Sequence, residues 1–178
     1  DNYEEALQRR EKLLTKHNGK YVSHGGKNIL YGHGVIGFEI LNEIPEHKSV
    51  SFYATVGAGG TVGIGKCMKS LRNNVTFNLV QTKEFSSFIQ SVRMNKLVKN
   101  DLSQDVKISE GIAVDQPEEF ALEIAKECLD NFIIVDTDQV IFLISETGLG
   151  NSTCISLSGI LENENSDVIV VLDCEGNK

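Results

Sequence analysis

Apolar and β-branched residues fall in four short, nearly unbroken runs, at 49–56, 75–81, 131–136 and 167–173. Each has the length of a strand, and continuity rather than alternation predicts strands covered on both faces, as in a parallel sheet. Between the runs the apolar spacing turns helical, over 3–17, 35–43, 62–71, 117–130 and 153–161. Pro117 followed by Glu118 and Glu119 has the composition of a helix start, with the imide in the first turn and carboxylates at the positive end of the dipole. The stretch 81–115 is polar and weakly periodic, and is expected to wrap the sheet as a helix over 84–97 and a loop. Alternating strands and helices predict an α/β fold: three layers (αβα), a mostly parallel sheet, helices on both faces. Two prolines in 178 residues mark no linker, so residues 1–178 are expected to form a single α/β domain.

Composition narrows the function classes. At 40% hydrophobic the chain can bury a core without disulfides or a structural metal. A net charge of -8 and a pI near 5.0 argue against nucleic acid, whose binders need a basic footprint. No run approaches the 18 or more apolar residues that cross a bilayer, and DNYEEALQRREKLL lacks a signal peptide's apolar stretch. A cytoplasmic protein with no membrane partner is expected. Cys67, Cys128, Cys154 and Cys174 form no CxxC pair. The first three are expected as core fillers, with neither a zinc site nor a redox dithiol.

The candidate chemistry lies in SFYATVGAGGTVGIGKCMKSL, where a strand runs into Gly57, Ala58, Gly59, Gly60 and Thr61 and then into a helix. Glycines admit close backbone approach, and the amides at a helix mouth favour an anion. A tight turn with no ligand is the plain alternative. Gly65-Lys66 is followed by Cys67, so the hydroxyl of a nucleotide-triphosphate P-loop is missing. A dinucleotide-binding domain stays open as an alternative, although Gln81 stands where an acidic residue would take the ribose hydroxyls.

The order of segments resembles the C-terminal part of the fold-type II pyridoxal-phosphate (PLP) enzymes, threonine dehydratases and threonine synthases in particular. YGHGVIGFEILNEIP resembles their GQGTIGLEILEQLP helix, and ATVGAGGTVGIGKCMKSL their phosphate loop. SEGIAVDQPEEFALEI resembles ADGIAVKRPGELTFEI in the dehydratases. VIVVLDCEGNK resembles VVVVLSGGN in dehydratases and VVVVLTGHGLKD in synthases. The resemblance implies that Gly57, Ala58, Gly59, Gly60 and Thr61 bind the phosphate of pyridoxal 5'-phosphate and that Gly111 lies beside its ring. It also implies that Asp173 or Cys174 stands where the family keeps a serine or threonine facing the pyridine nitrogen.

Three departures qualify what the resemblance implies. The family's Ser-Phe-Lys type motif, whose lysine carries the cofactor, does not occur in these residues, and the N-terminal lysine-bearing segment is expected to be absent. Lys66 is expected as a solvated side chain rather than its replacement, so no catalytic residue is assigned. An aspartate at 173 would favour a protonated ring nitrogen, whereas a hydroxyl leaves it neutral; the alternative is a carboxylate that merely caps a turn. FLISETGLGNSTCISLSGIL is shorter than LLAETEGIFAEPAGAAALAALL and lacks its Glu-Pro step; it is expected as a loop before a helix capped by Ser152 or Thr153. His17, His24, His33 and His47 lack metal-ligand spacing and are expected at the surface, His33 at a helix start, with an approach to the cofactor as its alternative. Glu162, Glu164 and Asp167 are weighed as a weak cation site against a solvated loop.

The expected function is the PLP-binding portion of an amino-acid β-elimination or replacement enzyme resembling threonine (serine) dehydratase or threonine synthase. Its partner would be a small amino-acid substrate, with a homodimer left open. The alternatives are a non-catalytic module that keeps the phosphate cradle, and the dinucleotide-binding domain.

Overall fold

A computed structural model describes residues 3–101, 108 and 111–174. Four strands, β1 (Val50–Thr55), β2 (Val75–Thr82), β3 (Asn131–Val135) and β4 (Val168–Val171), form one parallel sheet in the order β3-β2-β1-β4. The central pair is buried along almost its whole length, while β3 and β4 at the edges are half-exposed.

Side chains alternate across the sheet and seed two cores. Val50, Phe52 and Ala54 of β1 with Val75, Phe77 and Leu79 of β2 face one layer of helices. That layer contains α2 (Lys27–Glu43), α3 (Gly60–Leu71), α4 (Ser87–Met94) and α5 (Glu119–Cys128). Tyr53, Val80 and Val135 face the other layer, α6 (Thr137–Thr147) and α7 (Asn151–Ser158). The three-layer αβα prediction therefore holds. The N-terminal helix α1 (Tyr3–His17) precedes this body and is largely exposed.

Two helices depart from expectation. The second begins at Lys27, eight residues before the 35–43 prediction, and runs straight through Gly32 and Gly34. The cost of helical glycine, about 1 kcal/mol each, is offset by close packing. A Cβ at Gly37 would lie 2.7 Å from Ile64 O, and one at Gly63 would lie 2.0 Å from Leu30 O, so α2 and α3 touch backbone to backbone. The sixth helix was not anticipated at all; Asp136 starts it by accepting from the Asp138 amide at 2.9 Å.

The β1–β4 edge is closed at its lower end by a polar clasp. Asp167 accepts from Lys48 Nζ, Ser49 N and Ser49 Oγ at 3.0, 2.9 and 2.9 Å. Glu164 accepts from the Tyr53 hydroxyl at 2.5 Å and from the amides of Asn165 and Ser166. Glu164 and Asp167 thus turn to β1 and to their own loop rather than to a cation, while the loop, Glu162 included, is largely exposed, as the solvated-loop reading expects. Among the described residues no cluster of His, Cys, Asp or Glu is arranged to hold a metal.

Among the described residues no single helix is long and apolar enough to cross a membrane. Cys128 and Cys154 are buried, Cys67 is half-buried and Cys174 is exposed, and none of the four is in a disulfide. Burial pushes the Cys128 thiol up to about 12, as suits a core filler.

Candidate functional site

Strands β2 and β3 lie on one side of β1 and β4 on the other, so the carboxyl ends of β1 and β4 flank the point where chain order reverses. Open α/β sheets bind ligands at that crevice. A cavity of about 650 Å³ opens there, within the range of small-molecule sites. Its wall includes Thr55, Gly57, Ala58, Gly60 and Thr61 on one side and Leu172, Asp173 and Cys174 on the other. Gly111, Ile112 and Val114 supply a third wall, and His33, Ser152 and Ser156 come from helices. Seven of the eight cofactor residues expected from sequence share this one space; Gly59 is buried behind it.

The glycines of the loop are explained by packing. A Cβ at Gly57 would sit 3.1 Å from Ile112, one at Gly59 2.1 Å from Ala121 Cβ, and one at Gly60 2.9 Å from the His33 ring. Gly59 also has φ +138°, a conformation that side chains rarely tolerate. Glycine here seats the loop against its neighbours, and close approach of a ligand is not what excludes a side chain.

The amides point to a different use. Among the described residues, no atom accepts a hydrogen bond from the amides of Gly57, Ala58, Gly59, Gly60 or Thr61. Their carbonyls and side chains, by contrast, are engaged. Ala58 O accepts from Glu118 N at 3.2 Å, Gly59 O from Val62 N at 3.0 Å, and Thr61 Oγ1 donates to Thr55 O at 2.9 Å. Five donors for which no described residue supplies an acceptor, at the start of a twelve-residue helix, have the chemistry of an anion seat. That donor chemistry suits a phosphoryl group, which offers several acceptor oxygens and needs no cationic side chain.

Contacts from distant segments hold the loop in place. Gln81, buried between β1 and α4, donates to Val56 O and accepts from Ile89 N, both at 2.9 Å. Its amide is committed to the backbone, which leaves it no role toward a ribose. Ser23 Oγ donates to Glu118 Oε1 at 2.5 Å, tying the entry of α2 to the start of α5 beside the loop. Ser156 Oγ accepts from Thr55 N at 2.9 Å.

His33 corrects the sequence expectation. It lies in the second turn of α2, half-buried on the cavity wall, with Nδ1 3.1 Å from Gly60 O. Since a carbonyl only accepts, Nδ1 carries the proton. The sequence offers this approach only as the less favoured alternative, because His33 and Gly60 meet only when α2 packs on α3.

At the opposite wall Thr153 Oγ1 donates to Asp173 Oδ1 at 2.8 Å and to Leu172 O at 3.3 Å. Thr153 is buried and Asp173 exposed at the cavity mouth. Lys66 lies elsewhere, paired with Glu127 at 2.9 Å over a groove between α2 and α3. Its Glu127 hydrogen bond holds the ammonium pKa above the usual lysine value. Among the described residues no lysine lines the cavity at the strand ends.

Residues 1–173 match the pyridoxal-phosphate dependent enzyme family. The chain belongs to that family. Pyridoxal 5'-phosphate is accordingly the cofactor, and the amide loop is the part of the fold whose donors suit its phosphate. Among curated relatives of this PLP-family chain, the L-threonine ammonia-lyase of Thermotoga maritima is 28% identical over 151 residues, 81% of this chain and 35% of the relative. The catabolic L-threonine dehydratase of Staphylococcus aureus is 30% identical over 130 residues, 71% of this chain and 36% of the relative. The chain thus spans about a third of the length of these relatives. Maize serine racemase shares the fold with a TM-score of 0.79 at 16% identity, covering 95% of this chain and 55% of that one. The processed threonine deaminase isoform 2 of Solanum lycopersicum gives 0.76 at 22% identity, covering 89% and 49%.

Proposed function

We propose that this chain is the phosphate-binding portion of an enzyme that eliminates or replaces a β or γ substituent of an amino acid, with threonine or serine as substrate. The observation that carries this reading is the set of loop amides, those of Gly57, Ala58, Gly60 and Thr61 on the cavity wall and that of Gly59 buried behind them, for which no described residue supplies an acceptor. In this reading those amides hold the cofactor phosphate, Gly111 flanks the ring, and Asp173 and Cys174 stand at its nitrogen edge. Bound PLP supplies an electron sink for a substrate carbanion. The chain's own residues anchor and orient it: the amides fix one end, Gln81 and Glu118 keep the loop from shifting, and the Ile112 and Leu172 walls exclude water. The relatives named for threonine favour deamination of a hydroxy amino acid, while the ending LDCEGNK keeps threonine synthesis from a phosphorylated homoserine as the variant.

Among the described residues no lysine lines the cavity, so none of them is assigned as the amine that carries the cofactor. That observation favours a second reading, a module that seats the cofactor and performs no chemistry unaided. Exposed Tyr31, Val35 and Phe38 form one apolar stripe along α2, which supports pairing with a second copy as the partner.

Titration with PLP, followed by its absorbance and by thermal shift, tests the reading. PLP and inorganic phosphate are expected to stabilise the chain, and pyridoxal without phosphate is expected not to. Stabilisation by neither PLP nor phosphate would defeat it. Turnover of threonine only after mixing with an N-terminal fragment bearing the lysine motif separates the portion of an enzyme from the non-catalytic module.

A further inference from the structure

The cavity has two ends of opposite electrostatic character. The amide seat and the N-terminus of α3 make one end positive, and Asp173 makes the other negative. Asp173 is not a loosely placed side chain: Thr153, 4% exposed in the first turn of α7, donates to its Oδ1 at 2.8 Å. The same hydroxyl reaches Leu172 O, so it pins both the backbone and the carboxylate where β4 leaves the sheet. With Oδ1 accepting once from Thr153, one lone-pair position of Oδ1 and both of Oδ2 are not taken by any described residue. Among the described residues the other ionisable side chains on the wall are His24, His33 and Cys174, and no lysine or arginine among them competes for the carboxylate.

We infer that Thr153 is a positioning residue that aims Asp173 at a protonated ring nitrogen, so that the cavity selects a ligand anionic at one end and an N–H donor at the other. This rests on the PLP reading and sharpens it. An opposite charge within reach favours the protonated form of a pyridine, and a protonated ring withdraws electrons from the reacting carbon more strongly than a neutral one. A hydroxyl at position 173 would offer no such charge.

The full chain is loaded with PLP labelled with ¹⁵N in the ring. The ³¹P signal reports seating on the amide loop, and the ¹⁵N shift reports protonation. Affinity is compared with a PLP analogue in which a ring C–H replaces the nitrogen. The wild type is expected to show a pyridinium ¹⁵N shift and to prefer PLP over the analogue by roughly tenfold, the equivalent of one pKa unit. Asp173→Asn is expected to retain the ³¹P change, lose the pyridinium shift and bring the preference close to unity. Thr153→Val is expected to move both readouts the same way, and Thr153→Ser to restore them, which a merely structural threonine would not require. A displaced ³¹P signal with a neutral ¹⁵N shift in the wild type overturns the inference and leaves the cradle intact. An unmoved ³¹P signal overturns both.

Discussion

Gln81 Nε2 donates to Val56 O at 2.9 Å while Gln81 Oε1 accepts from Ile89 N at the same distance. One buried side chain therefore spans the end of β1, just before the anion loop, and the first turn of α4. Gln81→Leu would leave a buried carbonyl and a buried amide without partners, at a cost of about 2–4 kcal/mol. Urea unfolding is expected to show that loss, and PLP-induced stabilisation is expected to fall with it, because the loop has lost its lateral tie.

Gly59→Ala is expected to cost more than 3 kcal/mol, since φ +138° and an Ala121 contact of 2.1 Å act together. Adding Ala121→Gly relieves the contact but not the dihedral, so the double variant should recover part of the loss in a thermal melt. Gly148→Ala is the control. Its φ is +66° in open space, and about 1 kcal/mol is expected.

The clasp at β1 and β4 sets the pH limits of stability. Burial pulls the Glu164 carboxyl up, but hydrogen bonds from Tyr53, Ser166 and Ser51 outweigh it and hold the group at about 2. Its folded value lies below the ordinary 4.5, so its contribution is complete above that value and is lost as pH falls toward 2. Burial, with the Glu164 hydrogen bond, raises the Tyr53 phenol to about 12 from 10.0. Its contribution is complete below 10.0 and disappears as pH rises through about 12. Urea midpoints against pH should decline at both ends; Glu164→Gln should flatten the acid limb and Tyr53→Phe the alkaline one. An acid limb unchanged by Glu164→Gln would show that other carboxylates set it.

Lys66→Ala removes a surface ion pair whose lysine is 38% exposed, and the change in stability is expected to stay below about 1 kcal/mol. PLP absorbance and borohydride trapping should be unaffected. A loss of either would return Lys66 to the chemistry.

Much of the fold was legible because it depends on local patterns. All four strands lie within two residues of the predicted limits, and the helices at 3–17 and 62–71 were placed to within two. The helix at 137–147 escaped notice because it exposes Ile141 and Phe142, which blurs its amphipathic period. Its one sequence signal was Asp136 followed three residues later by Gln139, a capping pattern. The early start of α2 was hidden for the opposite reason: its glycines suggest a loop until α3 is packed against them.

The sequence by itself determined the order of strands and helices, the place of the glycine loop between β1 and α3, and the family likeness, because periodicity and motif spacing are properties of neighbouring residues. Tertiary structure decided that the loop's glycines serve packing and that its amides meet no acceptor among the described residues. It also brought His33 to Gly60, Gln81 to Val56 and Thr153 to Asp173. These pairs are separated by 27, 25 and 20 residues. Hydrogen bonds over such separations exist only after the sheet and both helical layers have closed, so no local pattern can announce them.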